Sequence, residues 1–436
     1  MKILKFGGTS VGSAQRMKEV EILLRQEGKK IVVLSAMSGT TNSLVEIANY
    51  LFANKNEIAS NLLEGLKSKY LQTVNELYKS DNFKSKAKDL VYSHFNYLLS
   101  FTRDLFTIHE EKAVLAQGEL LSTALFQLYL EELNVNSVLI PALKFMRIDK
   151  DLEPDYFYIQ ENLNRILEEN KTVDIFVTQG FICRNVYGEI DNLKRGGSDY
   201  SASLMGVAVK AEEVQIWTDI DGMHNNDPRI VEKTMPIQQL SFDEAAELAY
   251  FGAKILHPTS VLPAKKANIP VRLKSTIEPN AFGTLITSQT SGKGIKAIAA
   301  KDGISAIKIN SGRMLLAYGF LRKVFEIFEL FKTSIDMITT SEVAVSVTID
   351  DDKNLNDIKK ELEKYGRVEI DSNQTIVCIV GDFISGDKGI ANQIFSVLKE
   401  IPIRMISYGG SNHNISILIN TKDKQLALKE LNKLFY

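Results

Sequence analysis

The chain has 436 residues, a length of about three domains, and 52 lysines and arginines against 54 aspartates and glutamates leave a net charge of −2. That balance carries no mark of a nucleic-acid or membrane-surface protein, and two cysteines, Cys183 and Cys378, make neither a disulfide framework nor a zinc site. With 44 % hydrophobic residues, no run near the roughly 18 apolar residues of a membrane span and no signal-peptide pattern, a soluble, cytoplasmic, multidomain protein is expected.

In chain order, residues 3–6 and 31–34 read as short buried strands, and 174–178 and 213–218 have the same β-branched, apolar look. Between the second and third lies a proline-free helical stretch, 43–133, with Leu, Phe and Tyr at three- and four-residue spacing. Strands alternating with helices predict a mostly parallel α/β sheet, whose ligands collect at the carboxyl ends of the strands. A small, polar, glycine-containing stretch at 283–296 marks a domain boundary.

Beyond it two weakly similar units follow. The first reads as strand 304–309, helix 319–331, strands 335–339 and 343–349, helix 355–365 and strand 368–370. The second reads as strand 375–380, helix 389–399, strands 403–407 and 415–419, and helix 422–435. This is a ferredoxin-like β-α-β-β-α-β repeat whose second copy lacks its last strand. The orphan strand 295–299 is expected to complete it, because an open edge beside a buried helix face would stay unpaired.

Four small, polar segments sit at predicted strand ends. Lys5-Phe-Gly-Gly-Thr-Ser-Val11 ends a strand in two glycines and two hydroxyls before a helix near Ser13. Its amides and the helix N-terminus suit an anion, with Lys5 as a mobile cation. It is neither a Walker loop nor a Rossmann fingerprint, and taken alone it is as readily a plain turn with a solvated lysine. Ser35-Ala-Met-Ser-Gly-Thr-Thr-Asn42 supplies more amide and hydroxyl donors. Arg195-Gly-Gly-Ser-Asp-Tyr-Ser201 offers a guanidinium, two glycines and the carboxylate of Asp199, and 217–229 closes in Asp227-Pro-Arg229. Each could serve as an ordinary loop; four on one sheet point to a shared site.

Together with Gly118-Glu119, Thr178-Gln-Gly-Phe-Ile182, Trp217-Thr-Asp219 and Phe251-Gly-Ala-Lys-Ile-Leu-His-Pro258, these segments resemble the aspartate kinases, in order and along essentially the whole chain. The resemblance implies an amino-acid-kinase fold over 1–294, followed by two ferredoxin-like ACT domains, 304–371 and 295–300 with 372–436. It implies transfer of the ATP γ-phosphoryl to the β-carboxylate of L-aspartate, the first step toward lysine, threonine and methionine. Lys5 and Asp199 would be catalytic, Lys5 on the transferring group and Asp199 orienting Lys5 or the metal end of the site. Thr41, Glu119, Arg195 and Ser198 would bind aspartate, Glu119 its ammonium and Arg195 its α-carboxylate. Gly7 and Gly8 (through their N–H groups), Thr218, Asp219, His224, Arg229 and Lys254 would bind the nucleotide. Mg2+ would enter with ATP, keeping several waters, so no dedicated metal ligands are expected.

Some residues carry a plainer reading. Glu119 alone also reads as a first-turn charge of a helix, Lys254 as a solvated helix lysine, and His257 as a structural helix-end residue. Two positions depart from the family pattern: His224, after Asp221-Gly222, stands where relatives have an aromatic or apolar residue, and Cys183 where a glycine often follows.

In the repeats, 314–324 and 334–343 resemble lysine-sensitive, monofunctional relatives. The resemblance implies an L-lysine effector held by Met314, Tyr318, Gly319, Phe320, Leu321, Ser334, Asp336, Ser341 and Glu342, with Asp336 and Glu342 as ammonium partners. It also implies a homodimer or higher oligomer through the ACT units. The rival readings are another carboxylate kinase of this fold, such as acetylglutamate or glutamate kinase, and an inactive amino-acid sensor.

Overall fold

The computed structural model describes residues 1–103, 105–193, 196–252, 256–290, 292–311, 318–382 and 388–436. They form two units, each built on its own sheet. The first takes in Met1–Met223, Gln238–Phe242 and the later strands through Gln289; the second takes in 224–237, the helix from Asp243 on, and Thr290–Tyr436.

The first unit's strands are β1 (Lys2–Phe6), β2 (Lys30–Leu34), β3 (Ser137–Leu139), β4 (Ile175–Gln179), β7 (Glu213–Thr218), β8 (Gln239–Ser241), β9 (Val271–Ser275) and β10 (Thr284–Thr287), with a separate hairpin of β5 (Ile182–Arg184) and β6 (Ile190–Asn192). The eight lie in the order β3-β4-β2-β1-β7-β9-β10-β8, parallel except where β10 meets β9. Every residue of β2 and β4 is buried, as expected of parallel strands covered on both faces. β9, which alternates apolar and polar side chains, the three-residue strands β3, β5, β6 and β8, and β10, which falls within the stretch read as a domain boundary, were not among the predicted strands.

The helical stretch resolves into four helices, following α1 (Ala14–Leu24). They are α2 (Thr40–Phe52), α3 (Asn56–Leu77), α4 (Asp81–Ser100) and α5 (Ile108–Glu132). Local chemistry makes the breaks. Asn54 turns with φ 55°, and Thr107 opens α5 with a capping box completed by Glu110. Their inner faces, with Leu63, Tyr70, Phe95, Leu125 and Phe126, share one core with β1 and β2. α6 (Tyr156–Glu169), α7 (Gly197–Ala208) and α9 (Leu262–Lys266) complete the unit, and α8 (Phe242–Phe251) passes into the second.

The second unit has β11 (Gly294–Asn310), α10 (Phe320–Leu330), β12 (Ile338–Thr340), β13 (Ala344–Ile349), α11 (Leu355–Leu362), β14 (Arg367–Asp382), α12 (Ile390–Val397), β15 (Ile403–Tyr408), β16 (Asn414–Asn420) and α13 (Lys424–Asn432). Its sheet runs β12-β13-β11-β14-β16-β15, antiparallel throughout. The segments read as separate strands join into two long ones. Residues 294–301 of β11 pair with 376–382 of β14, and 304–310 pair with 367–374, with register shifts between Lys301 and Ala306. Each half has its own core. Ile307, Val324, Phe328, Val347 and Leu362 fill one, and Ile298, Val377, Ile394, Ile417 and Leu428 fill the other. No helix among the described residues is long and apolar enough to cross a membrane.

Candidate active site

Parallel neighbours on both sides of β1 fix where its carboxyl end delivers Lys5. The Lys5 ammonium pairs with Asp199 Oδ1 at 2.7 Å, the side chains only 11 % and 13 % exposed. Asp199 sits in the first turn of α7, where the helix dipole favours an anion. Such a pair is sharply weakened by losing either member, because the other charge stays partly buried without a partner.

The loops that follow β1 and β2 touch each other. Ser38 N–H donates to the Gly8 carbonyl at 3.1 Å, and a Cβ on Gly8 would stand 3.0 Å from the Ala36 carbonyl oxygen. Gly7 departs from its expected role as an anion donor. Its N–H is engaged by the Trp217 carbonyl of β7 at 3.4 Å, so what it offers is the absence of a side chain, 3.5 Å from Lys5 Nζ.

Glu119 lies well inside α5, which starts at Ile108, so the first-turn reading does not hold. It is 3 % exposed. Its Oε1 accepts the Ala36 N–H at 3.1 Å, while Oε2 is buried with no hydrogen-bond partner among the described residues. Burial pushes its carboxyl up to about 7, against the opposing pull of the Ala36 N–H and the Lys5 charge. Gly118 allows this approach, since a Cβ there would come 2.8 Å from that of Ala36. A buried carboxylate with one oxygen left over is suited to a cation brought by a ligand.

Thr41 is half-buried in the first turn of α2, after Gly39 at φ 81°. Tyr70, which the sequence reading did not single out, holds that turn through Thr40 at 3.0 Å, and Lys69 donates to the Ser38 carbonyl at 2.6 Å. Ser198 faces Gly180 at the end of β4, where a Cβ would fall 2.6 Å from the Ser198 Cβ and Oγ. Gly180→Ala is therefore expected to destabilise by about 1–3 kcal/mol. Thermal unfolding would show it as a lowered Tm.

Thr218 ends β7, its hydroxyl 3.1 Å from Asp219 Oδ1, and its carbonyl accepts the Thr276 N–H at 2.7 Å. Asp219 is exposed. His257 bonds Thr259 at 2.7 Å ahead of a short 3-10 turn and packs under Gly196. Cys183 is fully buried, which pushes its thiol up to about 12, so it faces the core and is no nucleophile.

The first unit thus gathers Lys5, Gly7, Gly8, Thr41, Glu119, Ser198, Asp199, Thr218 and Asp219 around the carboxyl ends of β1, β2, β4 and β7 and the helices that follow. His224 and Arg229 belong to the second unit. His224 is 2.9 Å from the Thr234 hydroxyl, and the exposed Arg229 guanidinium grips Asp227 at 2.9 and 2.8 Å. Arg195, Lys254 and Met314 lie outside the described residues.

Of the effector candidates, Gly319 precedes α10 at φ 80°, Phe320 is buried, and Tyr318, Leu321 and Ser334 are exposed. Ser341 and Glu342 lie exposed between β12 and β13. Asp336 is engaged by the chain's own Lys301 at 2.8 Å.

The amino acid kinase family profile matches residues 1–275, and an ACT domain profile matches 377–435. Lysine-sensitive aspartokinase 3 of Escherichia coli K12 is 33 % identical over 453 residues, 98 % of each chain. Aspartokinase 1, chloroplastic, of Arabidopsis thaliana is 35 % identical over 466 residues, all of this chain and 80 % of its own. The structure of E. coli aspartokinase III with aspartate and ADP superposes with a TM-score of 0.83 at 32 % identity, covering both chains fully. Its form with lysine and aspartate gives 0.84, again at 32 % identity, covering 100 % of this chain and 99 % of that one. With strand-end site, paired small units and end-to-end identity all in agreement, the chain belongs to the aspartokinases of the amino acid kinase family.

Proposed function

We propose that this chain transfers the γ-phosphoryl of ATP to the β-carboxylate of L-aspartate, the first step of the route to lysine, threonine and methionine. The observation that carries the substrate assignment is Glu119: a carboxylate deep in the site, within the field of Lys5, with one oxygen awaiting a cation. The α-ammonium of a free amino acid supplies that cation. An N-acylated substrate has none, which disfavours an acetylglutamate kinase.

The nucleophile is a carboxylate already ionised at neutral pH, so no general base is required. The barrier lies in bringing one anion to a polyanion and in stabilising the charge that develops on the transferred group. Lys5 neutralises the transferring phosphoryl, and Asp199 holds its ammonium in place. Glu119 and Arg195 fix the two ends of the amino acid, with Thr41 and Ser198 beside them. Gly8, Thr218, Asp219, His224, Arg229 and Lys254 serve the nucleotide, which brings Mg2+ with it. ADP release measured in parallel with L-aspartate, L-glutamate and N-acetylglutamate tests this. Turnover confined to L-aspartate is expected, and preference for either of the others would sink the assignment.

Residues 304–371, and 295–300 with 372–436, are read as two ACT units that bind L-lysine through Asp336, Glu342 and the turn at Gly319, lowering kinase activity. The effect requires lysine to favour one state of the enzyme over another. The sheet's edge strands, β12 and β15, offer the pairing surface for a homodimer. Titration with lysine and threonine separates the effectors, and indifference to both would remove the regulatory reading.

A further inference from the structure

Asp336 is the most enclosed of the polar effector candidates, its side chain 1 % exposed. Its Oδ1 accepts the Tyr250 hydroxyl at 2.7 Å and the Lys301 ammonium at 2.8 Å. Its Oδ2 is buried and has no hydrogen-bond partner among the described residues. The same ammonium lies 2.8 Å from Asp350 Oδ2 and 4.6 Å from the centre of the Tyr250 ring. Two carboxylates and one ammonium leave this cluster a positive charge short, and the unpartnered oxygen is on the enclosed carboxylate.

Tyr250 ends a polar stripe on α8. Glu244, Glu247 and Tyr250 are spaced by three residues and so share one helix face. Glu244 pairs with Lys296 of β11 at 2.7 Å, side chains 0 % and 10 % exposed. Glu247 accepts a hydrogen bond from Asn414 of β16, and Tyr250 reaches Asp336. Just past the helix, a Cβ on Gly252 would stand 2.5 Å from the Ala300 carbonyl oxygen of β11. The loop carrying Arg229 is tied to the same unit. Asn226 donates to Asn432 of α13 at 3.1 Å, Asn432 donates to the Lys233 carbonyl at 3.0 Å, and Ile298 N–H donates to the Asn225 carbonyl at 2.8 Å. Both stretches leading to proposed nucleotide residues, Arg229 and the Lys254 that follows α8 in the chain, are therefore anchored on the sheet that carries the effector candidates.

We propose that Lys301 is a resident stand-in for the effector's ammonium, and that Tyr250 is the contact that reports its displacement to the nucleotide side. L-Lysine docking on Asp336 competes with Lys301 and Tyr250 for one carboxylate, loosens the end of α8 and lowers affinity for the nucleotide. By linkage, nucleotide must weaken lysine binding by the same factor. The proposal rests on the reading of Asp336 as an effector residue.

Calorimetry of L-lysine binding to the full chain, alone and with saturating ADP and Mg2+, tests it. In the wild type ADP is expected to weaken lysine binding at least about fivefold. Tyr250→Phe keeps the ring over Lys301 and removes only the hydroxyl. There the ADP effect should fall to within about twofold, and saturating lysine should raise the KM for ATP by no more than about twofold, with kcat in the absence of lysine unchanged. Lys301→Gln removes the competitor, so lysine should bind at least about fivefold more tightly. A Tyr250→Phe enzyme with the wild-type ADP effect, or a Lys301→Gln enzyme that binds lysine more weakly, overturns the proposal. Failure of the wild type to bind lysine would be a different result, removing the effector reading and this proposal with it.

Discussion

Lys5→Ala is expected to lower kcat by about a thousandfold, the scale seen when a single charge-stabilising group is removed from a phosphoryl- or acyl-transfer site. The argument is geometric. The ammonium is held by Asp199 at 2.7 Å at the end of a strand fixed on both edges, so little in its position has to be rearranged when the substrates arrive. Lys5→Arg is expected to restore little of the loss, because a planar guanidinium cannot take the place of a compact ammonium in that enclosed space. Asp199→Asn keeps the shape but removes the partner charge, and it should lower kcat more than it raises the KM for either substrate. Lysine binding should survive Lys5→Ala, since every residue proposed for the effector lies in the second unit. Steady-state kinetics beside lysine calorimetry checks both halves. Undiminished turnover in Lys5→Ala would refute the role given to this residue.

Glu119→Gln is expected to act in two opposite directions. The amide cannot offer a negative charge to an ammonium, and the loss of a charged hydrogen bond of about 1.5–3 kcal/mol should raise the KM for aspartate by roughly ten- to a hundredfold. The same change should stabilise the protein in alkaline solution. Burial raises the Glu119 pKa from 4.5 to about 7 in the fold, so the folded state binds this proton more tightly than the unfolded chain does. The stabilisation this gives is fully present below the unfolded value and is lost as pH rises through about 7. Above that the fold carries a buried, ionised carboxylate that glutamine does not impose. The variant should therefore gain on the wild type by roughly 2 kcal/mol between pH 5 and pH 8. A stability difference that does not grow with pH would contradict the buried-carboxylate account, whatever happens to the KM.

What was legible in the sequence had a local cause. The loop after β1 shows itself in two glycines and two hydroxyls beside Lys5, and the ferredoxin-like units show themselves in alternating strand and helix periodicity. The burial of Glu119 had no such trace. It arises from Gly118 letting α5 close on Ala36, a contact between residues 82 positions apart in the chain that no periodicity records. The breaks in the long helical stretch depend on single residues, Asn54 and Thr107, whose signals were weaker than the continuous apolar pattern around them. The anchoring of 224–237 and α8 on the second unit was likewise hidden. It is made by pairs such as Asn226 with Asn432 and Tyr250 with Asp336, which join distant stretches by single polar contacts. Gly7 shows the reverse: the motif suggested an anion donor, and the neighbouring strand β7 engages its amide through the Trp217 carbonyl.

The central claim is that a free amino acid's side-chain carboxylate is phosphorylated at the Lys5–Asp199 pair, and trapping the product tests it most directly. With ATP, Mg2+, L-aspartate and hydroxylamine, the wild type is predicted to yield the β-hydroxamate of aspartate in step with ADP, and Lys5→Ala about a thousandfold less. ADP release from the wild type without β-hydroxamate, or equal hydroxamate from Lys5→Ala, would contradict the account.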